Sequence, residues 1–275
     1  MTVERTIRDA LREAAARFGF SATPRLDAEL LMAHALGTTR GSLLLGRLDD
    51  PAPADFAALA ERRAAQEPVA YITGVRDFWT VSLRVAPGVL IPRADSETLI
   101  EAAVDHYGGT PGPRTVLDLG TGSGALLLAA LDQWRGATGV GVDRSSDALA
   151  IARENAVRLG IAERARVIEG GWEGDGRAYD LVLCNPPYIP AGEPLAREVA
   201  EYEPASALFA GPDGLDDYRV IAPVLRPRIA PGGVACVEIG HDQGESAAAL
   251  FRAEGFGVAL RRDLAGRDRC LIVTP

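Results

Sequence analysis

The sequence lacks lysine altogether, so arginine supplies its cationic side chains, and it contains only three histidines and three cysteines in 275 residues. We attribute the missing lysine to a codon bias toward G and C. Acidic residues outnumber basic ones, and the formal net charge is −9. Nucleic-acid binding usually requires a positive face that displaces counterions from phosphates. The charge therefore weighs against a nucleic-acid partner, although segregated charge keeps that alternative open.

The cysteines stand far apart, and each lies in apolar sequence, at Cys184, Cys236 and Cys270. Such isolated residues are typical of reduced, buried thiols, whereas zinc sites and disulfides need cysteines that can pair. The histidines are also scattered, with no partner at the spacing of a nucleophile or a metal site. We therefore predict no metal, and we assign the histidines no catalytic role.

Long apolar runs are missing too. No segment reaches the roughly eighteen uninterrupted apolar residues that a membrane-spanning helix requires. The N-terminal segment carries charges throughout, whereas a signal peptide has an apolar core. We expect a cytoplasmic protein with no membrane association.

The N-terminal part of the chain has apolar residues at helical spacing in three stretches. They are Val3 to Phe18, Arg25 to Leu36 and Ala54 to Glu67. Glycine and proline punctuate the gaps between them. This pattern predicts a small helical bundle over residues 1–74.

The next segment changes from helical spacing to alternation. Apolar and polar residues alternate between Ile72 and Val89, a pattern that predicts a β-hairpin. We place this hairpin as a linker over residues 75–92, ahead of a larger domain at 93–275.

From Arg114 onward, strand patterns alternate with helical ones. The predicted strands are Thr115–Leu119, Gly139–Val142, Ala165–Ile168, Leu181–Cys184, Gly233–Ile239 and Arg269–Val273, with helices at Leu126–Gln133, Ala148–Leu159 and Gly244–Glu254. Such alternation predicts an α/β fold with a doubly wound, mostly parallel, Rossmann-like sheet and right-handed crossovers.

A glycine-rich turn follows the first of these strands and opens a helix. It reads Gly120-Thr121-Gly122-Ser123-Gly124. Glycines let the backbone approach a ligand closely, and free N–H groups at a helix start attract a carboxylate or a phosphate. The turn alone fits ordinary turn chemistry or a dinucleotide site equally well.

Asp143 narrows these possibilities. It ends the second strand about twenty residues after the turn, where an acidic side chain can accept hydrogen bonds from both hydroxyls of a ribose. Its alternative role is that of a helix N-terminal residue before Ser145. We favour the ribose, since the spacing suits a nucleoside-binding βαβ unit, although nicotinamide enzymes share that spacing.

The segment Asn185-Pro186-Pro187-Tyr188 directly follows a predicted buried strand, so it should lie where ligands collect in open α/β sheets. The side-chain carbonyl of Asn185 and the main-chain carbonyl of Pro186 can each accept one N–H of a planar NH2 group. Such a group is a poor nucleophile and must be oriented. The prolines fix the turn, and Tyr188 can stack on the flat group. The alternative is ordinary loop punctuation.

These residues lie within a longer resemblance. The sequence resembles the protein-(glutamine-N5) methyltransferases that modify the Gly-Gly-Gln motif of peptide chain release factors, the PrmC/HemK family. Besides the glycine turn and residues 185–189, the matching segments are Arg25–Leu31, Glu67–Gly74, Val89–Arg93, Tyr202–Pro204, Gly211 with Asp213–Leu215, and Glu238–Gly240.

The resemblance implies an enzyme that transfers a methyl group from S-adenosyl-L-methionine and releases S-adenosyl-L-homocysteine. Residues 120–124 would cradle the methionine portion, Asp143 would hold the ribose, and Trp172 would lie against adenine. Asn185 would contact both the cofactor and the substrate, and residues 185–188 would clamp the glutamine amide. The helical region would dock the release factor.

Two alternatives stay open beside this function. The same tetrapeptide serves methylation of an exocyclic amine in DNA or RNA, although we find no added basic recognition domain. The other alternative is a nucleoside-binding or regulatory protein without catalysis. We expect a monomer whose partners are class 1 release factors, with no direct nucleic-acid contact.

The chain departs from the family pattern at two positions. Gly171 stands where the family commonly has the aspartate of Gly-Asp-Trp, so a carboxylate near the adenine amine is missing. Ala94 replaces a proline, while Arg93 and Glu97 remain. For Arg93 and Glu97, a solvated helix start capped by Ser96 or Asp95 and a role in closing the site are equally favoured.

Overall fold

The structure is a computed structural model that describes residues 5–275. Its α-helices are α1 (Ile7–Arg17), α2 (Pro24–Ala35), α3 (Arg40–Gly46), α4 (Phe56–Ala64), α5 (Val69–Thr73), α6 (Glu97–His106), α7 (Ala125–Gln133), α8 (Ser146–Arg158), α9 (Arg197–Ala200), α10 (Asp216–Leu225) and α11 (Gly244–Ala253). Its strands are β1 (Val75–Phe78), β2 (Val81–Arg84), β3 (Thr115–Leu119), β4 (Thr138–Asp143), β5 (Ala165–Glu169), β6 (Tyr179–Cys184), β7 (Ile229–Glu238), β8 (Gly257–Arg262) and β9 (Asp268–Thr274).

The chain divides into two compact units. The smaller contains the chain up to Val75 together with Leu195–Tyr202, and the larger contains Arg76–Pro194 and Glu203–Pro275. The sequence gives no sign that Leu195–Tyr202 leaves the unit to which its neighbours belong. The docking role of the helical part stays a prediction.

The smaller unit is a helical bundle, as predicted. Buried Ile7, Leu11 and Ala14 line one face of α1 and pack in a common core with Leu31 and Met32 of α2. The predicted helix from Val3 begins at Ile7 instead, and Val3 itself lies outside the described residues. The short helices α3 and α5 are not predicted, because fewer than two full turns leave too little periodicity to read.

A buried arginine organises the smaller unit. The guanidinium of Arg63 on α4 is only 4% exposed and lies 2.8 Å from Asp27 of α2 and 2.6 Å from Glu198 of α9. Tyr202 adds a hydrogen bond of 3.3 Å to the carbonyl of Ala65. These contacts explain why Leu195–Tyr202 belongs to this unit.

Replacing Arg63 by methionine should destabilise the smaller unit, because buried Asp27 loses its cationic partner. We expect a loss of about 3–5 kcal/mol in the free energy of unfolding, measured by urea denaturation. The matched control is Arg12→Met, which removes an exposed pair with Asp9 and should cost less than about 1 kcal/mol. Equal effects of the two substitutions would contradict the role given to Arg63.

The larger unit is built on a seven-stranded sheet with the order β5-β4-β3-β6-β7-β9-β8. The pairs from β5 to β7 are parallel, and the two pairs made by β9 are antiparallel. Residues alternate between the two faces, so Val116 packs in one core with α6 and α7, while Leu117 packs in another with α10 and α11. Helices thus cover both faces, which confirms the doubly wound, mostly parallel fold.

The predicted strands and helices of this unit form with small shifts at their ends, and β1 and β2 form the predicted hairpin. Strand β8 is missed, since its mostly exposed Gly-Val-Ala-Leu-Arg-Arg sequence shows no apolar alternation. Helix α10 is missed because Pro223 interrupts its pattern. The three cysteines are buried and unbridged, which confirms their predicted state.

No helix among residues 5–275 has the length and apolar character needed to span a bilayer. Within the same residues, no group of three or more histidine, cysteine, aspartate or glutamate side chains is placed to hold a metal ion.

Candidate active site

Two sequence motifs meet because β3 and β6 are parallel neighbours. Leu119 and Cys184, the last residues of the two strands, are register partners. The residues that follow them, Gly120 and Asn185, therefore leave the same edge of the sheet side by side. A Cβ atom added to Gly120 would lie 3.8 Å from the carbonyl oxygen of Asn185.

A cavity of about 680 Å³ opens at this edge, a size that suits a cofactor with part of a substrate. The predicted site residues that line it are Gly120, Thr121, Gly122, Ser123, Asp143, Trp172, Asn185 and Pro187. Gly124, Pro186 and Tyr188 are predicted site residues outside its lining. The structure thus gathers most of the predicted site around one cavity.

The turn after β3 needs glycine at particular positions. Gly120 has a φ of 72°, and a Cβ there would meet the ring of Trp172 at 3.2 Å. Gly124 has a φ of 85° and precedes the first residue of α7. Any larger residue at Gly120 would be strained and would push against Trp172.

Asp143 holds the glycine turn in place. Its Oδ2 accepts a hydrogen bond of 2.8 Å from the backbone N–H of Gly122, and its Oδ1 accepts one of 2.9 Å from Ser145. The side chain that caps α8 is Ser145, which accepts from the N–H of Ala148. Each carboxylate oxygen can accept a further hydrogen bond, so Asp143 can still accept hydrogen bonds from the hydroxyl groups of a ligand in the cavity.

Trp172 is fixed by a residue whose part in the site the sequence did not reveal. Its indole N–H donates to Oδ1 of Asp217 over 2.9 Å, and the guanidinium of Arg144 stands 5.6 Å from its ring centre. Burial raises the pKa of Asp217, which also lines the cavity. The contact spans 45 residues of the chain, so no local sequence pattern records it.

The space beside Gly171 is filled by another carboxylate. A Cβ atom on Gly171 would lie 2.7 Å from Oε2 of Glu173. A carboxylate therefore lies beside residue 171 even though that residue has no side chain, but Glu173 is not among the residues that line the cavity. An aspartate at 171 would require Glu173 to move.

Asn185 is anchored through the donor end of its amide. Its Nδ2 donates a hydrogen bond of 3.0 Å to Oγ of Ser96, whereas Oδ1 has no hydrogen-bond partner among residues 5–275. The free acceptor and its position on the cavity fit the predicted clamp. Ser96 is a buried residue that sequence reasoning considered only as a helix cap, a bond that its side chain does not make.

Tyr188 points its hydroxyl away from solvent. The hydroxyl donates to Oε1 of buried Glu238 over 3.1 Å, and burial raises the pKa of Tyr188. The main-chain carbonyl of Tyr188 accepts a hydrogen bond of 2.9 Å from the side-chain amide of Gln243. The ring of Tyr188 is partly buried and packs against the core. The predicted stacking of Tyr188 on a substrate stays a prediction.

Arg93 and Glu97 make different contacts in the structure. Arg93 lines the cavity and pairs at 2.5 Å with buried Glu203, which also accepts the N–H of Ile91. Glu97 instead accepts the N–H of Trp79 over 2.8 Å, so it holds the hairpin. Of the two, only Arg93 is placed to contact a ligand.

Asp118 lies fully buried beneath the glycine turn. Its Oδ2 accepts a hydrogen bond of 2.6 Å from the hydroxyl of Thr121 and one of 3.1 Å from the N–H of Leu127. Its Oδ1 has no hydrogen-bond partner among the described residues. Burial raises the pKa of Asp118 to about 7, and the two hydrogen bonds oppose that shift only in part. The protein thus favours the neutral form of this carboxyl.

Asp118 should make the stability of the larger unit depend on pH. Its pKa rises from 3.8 to about 7 on folding, so its contribution is complete below pH 3.8 and disappears as the pH rises through 7. In Asp118→Asn this contribution is absent. As the pH rises from 3.8 to 7, wild type loses this contribution and the variant does not. We therefore expect the free energy of unfolding of the variant, relative to wild type, to increase by up to about 1.4 kcal/mol per pH unit over this range.

Urea unfolding at a series of pH values between about 4 and 8 measures this difference. The matched control is Asp132→Asn, which removes an exposed carboxyl that accepts from Thr80. Parallel curves for wild type and Asp118→Asn would show that Asp118 keeps its ordinary pKa.

Comparison with known proteins identifies the family of the chain. Residues 9–74 match the family model of the PrmC N-terminal domain, and residues 96–201 match that of the methyltransferase small domain. The release factor glutamine methyltransferase of Caulobacter vibrioides is 41% identical over 90% of this chain and 89% of its own length. That of Cereibacter sphaeroides is 43% identical, covering 95% of each chain.

The chain belongs to the release factor glutamine methyltransferase family. Another family member, from Moorella thermoacetica, is 39% identical and covers 97% of this chain and 98% of its own. Among solved structures, a ribosomal protein L11 methylase from Lactobacillus delbrueckii subsp. bulgaricus superposes with a TM-score of 0.51 at 21% identity, over 70% of this chain and 84% of its own. That likeness concerns the fold alone.

Proposed function

We propose that this protein transfers a methyl group from S-adenosyl-L-methionine to the side-chain amide nitrogen of the glutamine in the Gly-Gly-Gln motif of peptide chain release factors. The products are N5-methylglutamine and S-adenosyl-L-homocysteine. The observation that carries this proposal is the meeting of the glycine turn and Asn185 on one cavity. The choice of substrate is inferred from the names of relatives that are about 40% identical over most of the chain.

The residues around the cavity fit the cofactor. S-adenosyl-L-methionine, when bound, supplies an electrophilic methyl group on a sulfonium sulfur. Gly120 to Gly124 would cradle its methionine portion, because residues 120–123 line the cavity and glycine lets a ligand approach the backbone closely. Asp143 would accept the ribose hydroxyls, and Trp172 would lie against the adenine. The carboxylate of Asp217 lies beside Trp172 and lines the cavity, where it can accept an exocyclic amine.

Asn185 would orient the glutamine amide. Its Oδ1 and the carbonyl of Pro186 each accept one N–H of the substrate NH2 group, so the nitrogen lone pair is held toward the methyl donor. Pro187 stiffens this turn, because proline fixes φ. The main-chain carbonyl of Asn185 is also close enough to the glycine turn to contact the cofactor, and alanine at this position would keep that carbonyl.

The residues around the cavity can orient the substrate, but they include no strong base. Among the described residues that line it, none is a histidine. Transfer to the neutral nitrogen gives an N-methylated amide cation, which is very acidic and can yield its extra proton to water. Orientation by neutral acceptors is therefore the main chemical contribution of the site.

The alternative substrate, an exocyclic amine of DNA or RNA, fits the same clamp. The family membership and the net charge of −9 both favour a protein glutamine instead. Class 1 release factors are the proposed partners. The monomeric state and the cytoplasmic location stay predictions.

Labelled methyl transfer tests the substrate. We expect label from S-adenosyl-L-methionine in a recombinant release factor and none in a release factor whose Gly-Gly-Gln glutamine is replaced. Ribosomal RNA and DNA serve as competing substrates in parallel reactions. Label that appears only in nucleic acid would overturn the proposed function.

Removing the clamp should separate turnover from cofactor binding. We expect Asn185→Ala to lower kcat by about 10²-fold or more, the cost of lost positioning, while the Kd for S-adenosyl-L-methionine changes little. Gln133→Ala, which removes an exposed amide at the end of α7, is the matched control. Unchanged turnover in Asn185→Ala would refute the role of the clamp.

A further inference from the structure

Two arginines supply the cations of the cavity lining in the part of the chain that the structure describes. They are Arg93 and Arg144, and the acidic residues of the same lining are Asp143, Asp147 and Asp217. Hydroxyl and amine groups of a ligand therefore find several charged acceptors, whereas an anionic group finds only two charged donors. The methionine portion of the proposed cofactor carries one anionic group, its carboxylate.

The glycine turn has few backbone donors left for that carboxylate. Four of its five N–H groups already donate inside the protein, two to the carbonyl of Val142, one to Asp143 and one within the turn. They belong to Gly120, Thr121, Gly122 and Gly124. The turn can surround the methionine portion, but a carboxylate taken out of water there needs a donor from elsewhere.

Arg144 belongs to the Trp172 side of the cavity. Its guanidinium stands 5.6 Å from the centre of the indole ring and 3.9 Å from Oδ1 of Asp217, the atom that accepts the indole N–H. The proposed function places adenine against this ring. Because adenine and the carboxylate are at opposite ends of the cofactor, the carboxylate is left to Arg93.

Arg93 belongs to the wall that carries the clamp. Its main-chain carbonyl accepts a hydrogen bond of 3.1 Å from the N–H of Ser96, and Oγ of Ser96 accepts one of 3.0 Å from Nδ2 of Asn185. The main-chain carbonyl of Asn185 in turn lies beside Gly120. Two hydrogen bonds thus join Arg93 to the segment that meets the glycine turn, where the methionine portion would lie.

A buried carboxylate holds Arg93 in place. Oε1 of Glu203 accepts a hydrogen bond of 2.5 Å from Nη2 of Arg93, and Oε2 accepts one of 3.1 Å from the N–H of Ile91. The side chain of Glu203 is 1% exposed and does not line the cavity, whereas that of Arg93 is 36% exposed and does. The pair therefore turns its cationic member toward the cavity.

Most donors of this guanidinium remain available. A guanidinium has five N–H groups in a planar fork, and Glu203 takes one of them at Nη2. Nε and Nη1 have no hydrogen-bond partner among residues 5–275. A fork of this kind matches the two oxygens of a carboxylate. Arg93 can therefore bind a second carboxylate while it keeps Glu203.

We propose that Arg93 binds the carboxylate of the methionine portion of S-adenosyl-L-methionine. This inference rests on the proposed function, from which it takes the cofactor. It deepens that function by assigning the residue that recognises the amino-acid end of the cofactor. Arg93 would thereby distinguish a cofactor with an intact methionine portion from one that lacks the carboxylate.

Paired binding measurements by calorimetry test this assignment. The two probes are S-adenosyl-L-homocysteine and its decarboxylated analogue, which keeps the adenosine, the sulfur and the amine. We expect Arg93→Gln to raise the Kd of S-adenosyl-L-homocysteine by about tenfold or more, the loss of a charged hydrogen bond, and that of the analogue by less than about twofold. Arg93→Lys keeps the charge without the fork and should give a smaller rise.

Two further variants control for folding and for charge. Arg93→Gln leaves buried Glu203 without its cation, so the double variant Arg93→Gln with Glu203→Gln removes both charges and should show the same selective loss. The matched control is Arg84→Gln, which removes an exposed arginine that pairs with Glu154 and does not line the cavity. It should bind both probes as wild type does.

Three outcomes would overturn the proposal. Equal weakening of both probes would show a general effect on the site, and no weakening of either would show that Arg93 does not contact the cofactor. An unchanged Kd for S-adenosyl-L-homocysteine together with a raised KM for the release factor would place Arg93 on the substrate instead.

The outcomes also separate this inference from the proposed function. Wild-type protein that binds S-adenosyl-L-homocysteine but methylates no release factor would refute the function, and the comparison of the two probes would still decide the role of Arg93. Active wild-type protein, together with an Arg93→Gln variant that binds S-adenosyl-L-homocysteine equally well, would refute the role of Arg93 alone.

Discussion

The candidate site depends on the parallel pairing of β3 with β6. Because Leu119 and Cys184 are partners, the glycine turn and the Asn185 segment leave neighbouring strands at the same edge of the sheet. A shift of one residue would move the side chains of β6 to the opposite face and would take Asn185 out of line with Gly120. The contact between the proposed donor site and the proposed acceptor clamp is therefore a consequence of strand register, and the two helical layers on the sheet hold that register in place.

Each half of the site contains a buried carboxyl below its ligand-facing backbone. Asp118 receives the hydroxyl of Thr121 under the glycine turn, and Glu238 receives the hydroxyl of Tyr188 behind the clamp. Burial raises the pKa of both carboxyls to about 7. Burying such groups costs stability, and in return the hydroxyls around them acquire fixed directions.

The sequence predicted the fold and those parts of the site that lie in short motifs. Strand periodicity located β3 and β6, and glycine spacing with Asp143 located the proposed cofactor side. Ser96 was interpreted only as a helix cap, and Asp217 was not among the predicted site residues, because their partners lie 89 and 45 residues away and no local pattern records such contacts. Glu238 was named only within the segment Glu238–Gly240 that resembles the family. The capture of Leu195–Tyr202 by the helical unit likewise depends on a tertiary ion pair of Arg63.

The most direct test of this account is a crystal structure of the protein with S-adenosyl-L-homocysteine and a release factor. We expect the glutamine side-chain nitrogen to donate to Oδ1 of Asn185 and to the carbonyl of Pro186, in line with the sulfur of the cofactor product. Nδ2 of Asn185 should remain bound to Ser96. A glutamine that lies outside the cavity, or an Asn185 amide turned with Nδ2 toward the glutamine, would contradict the account.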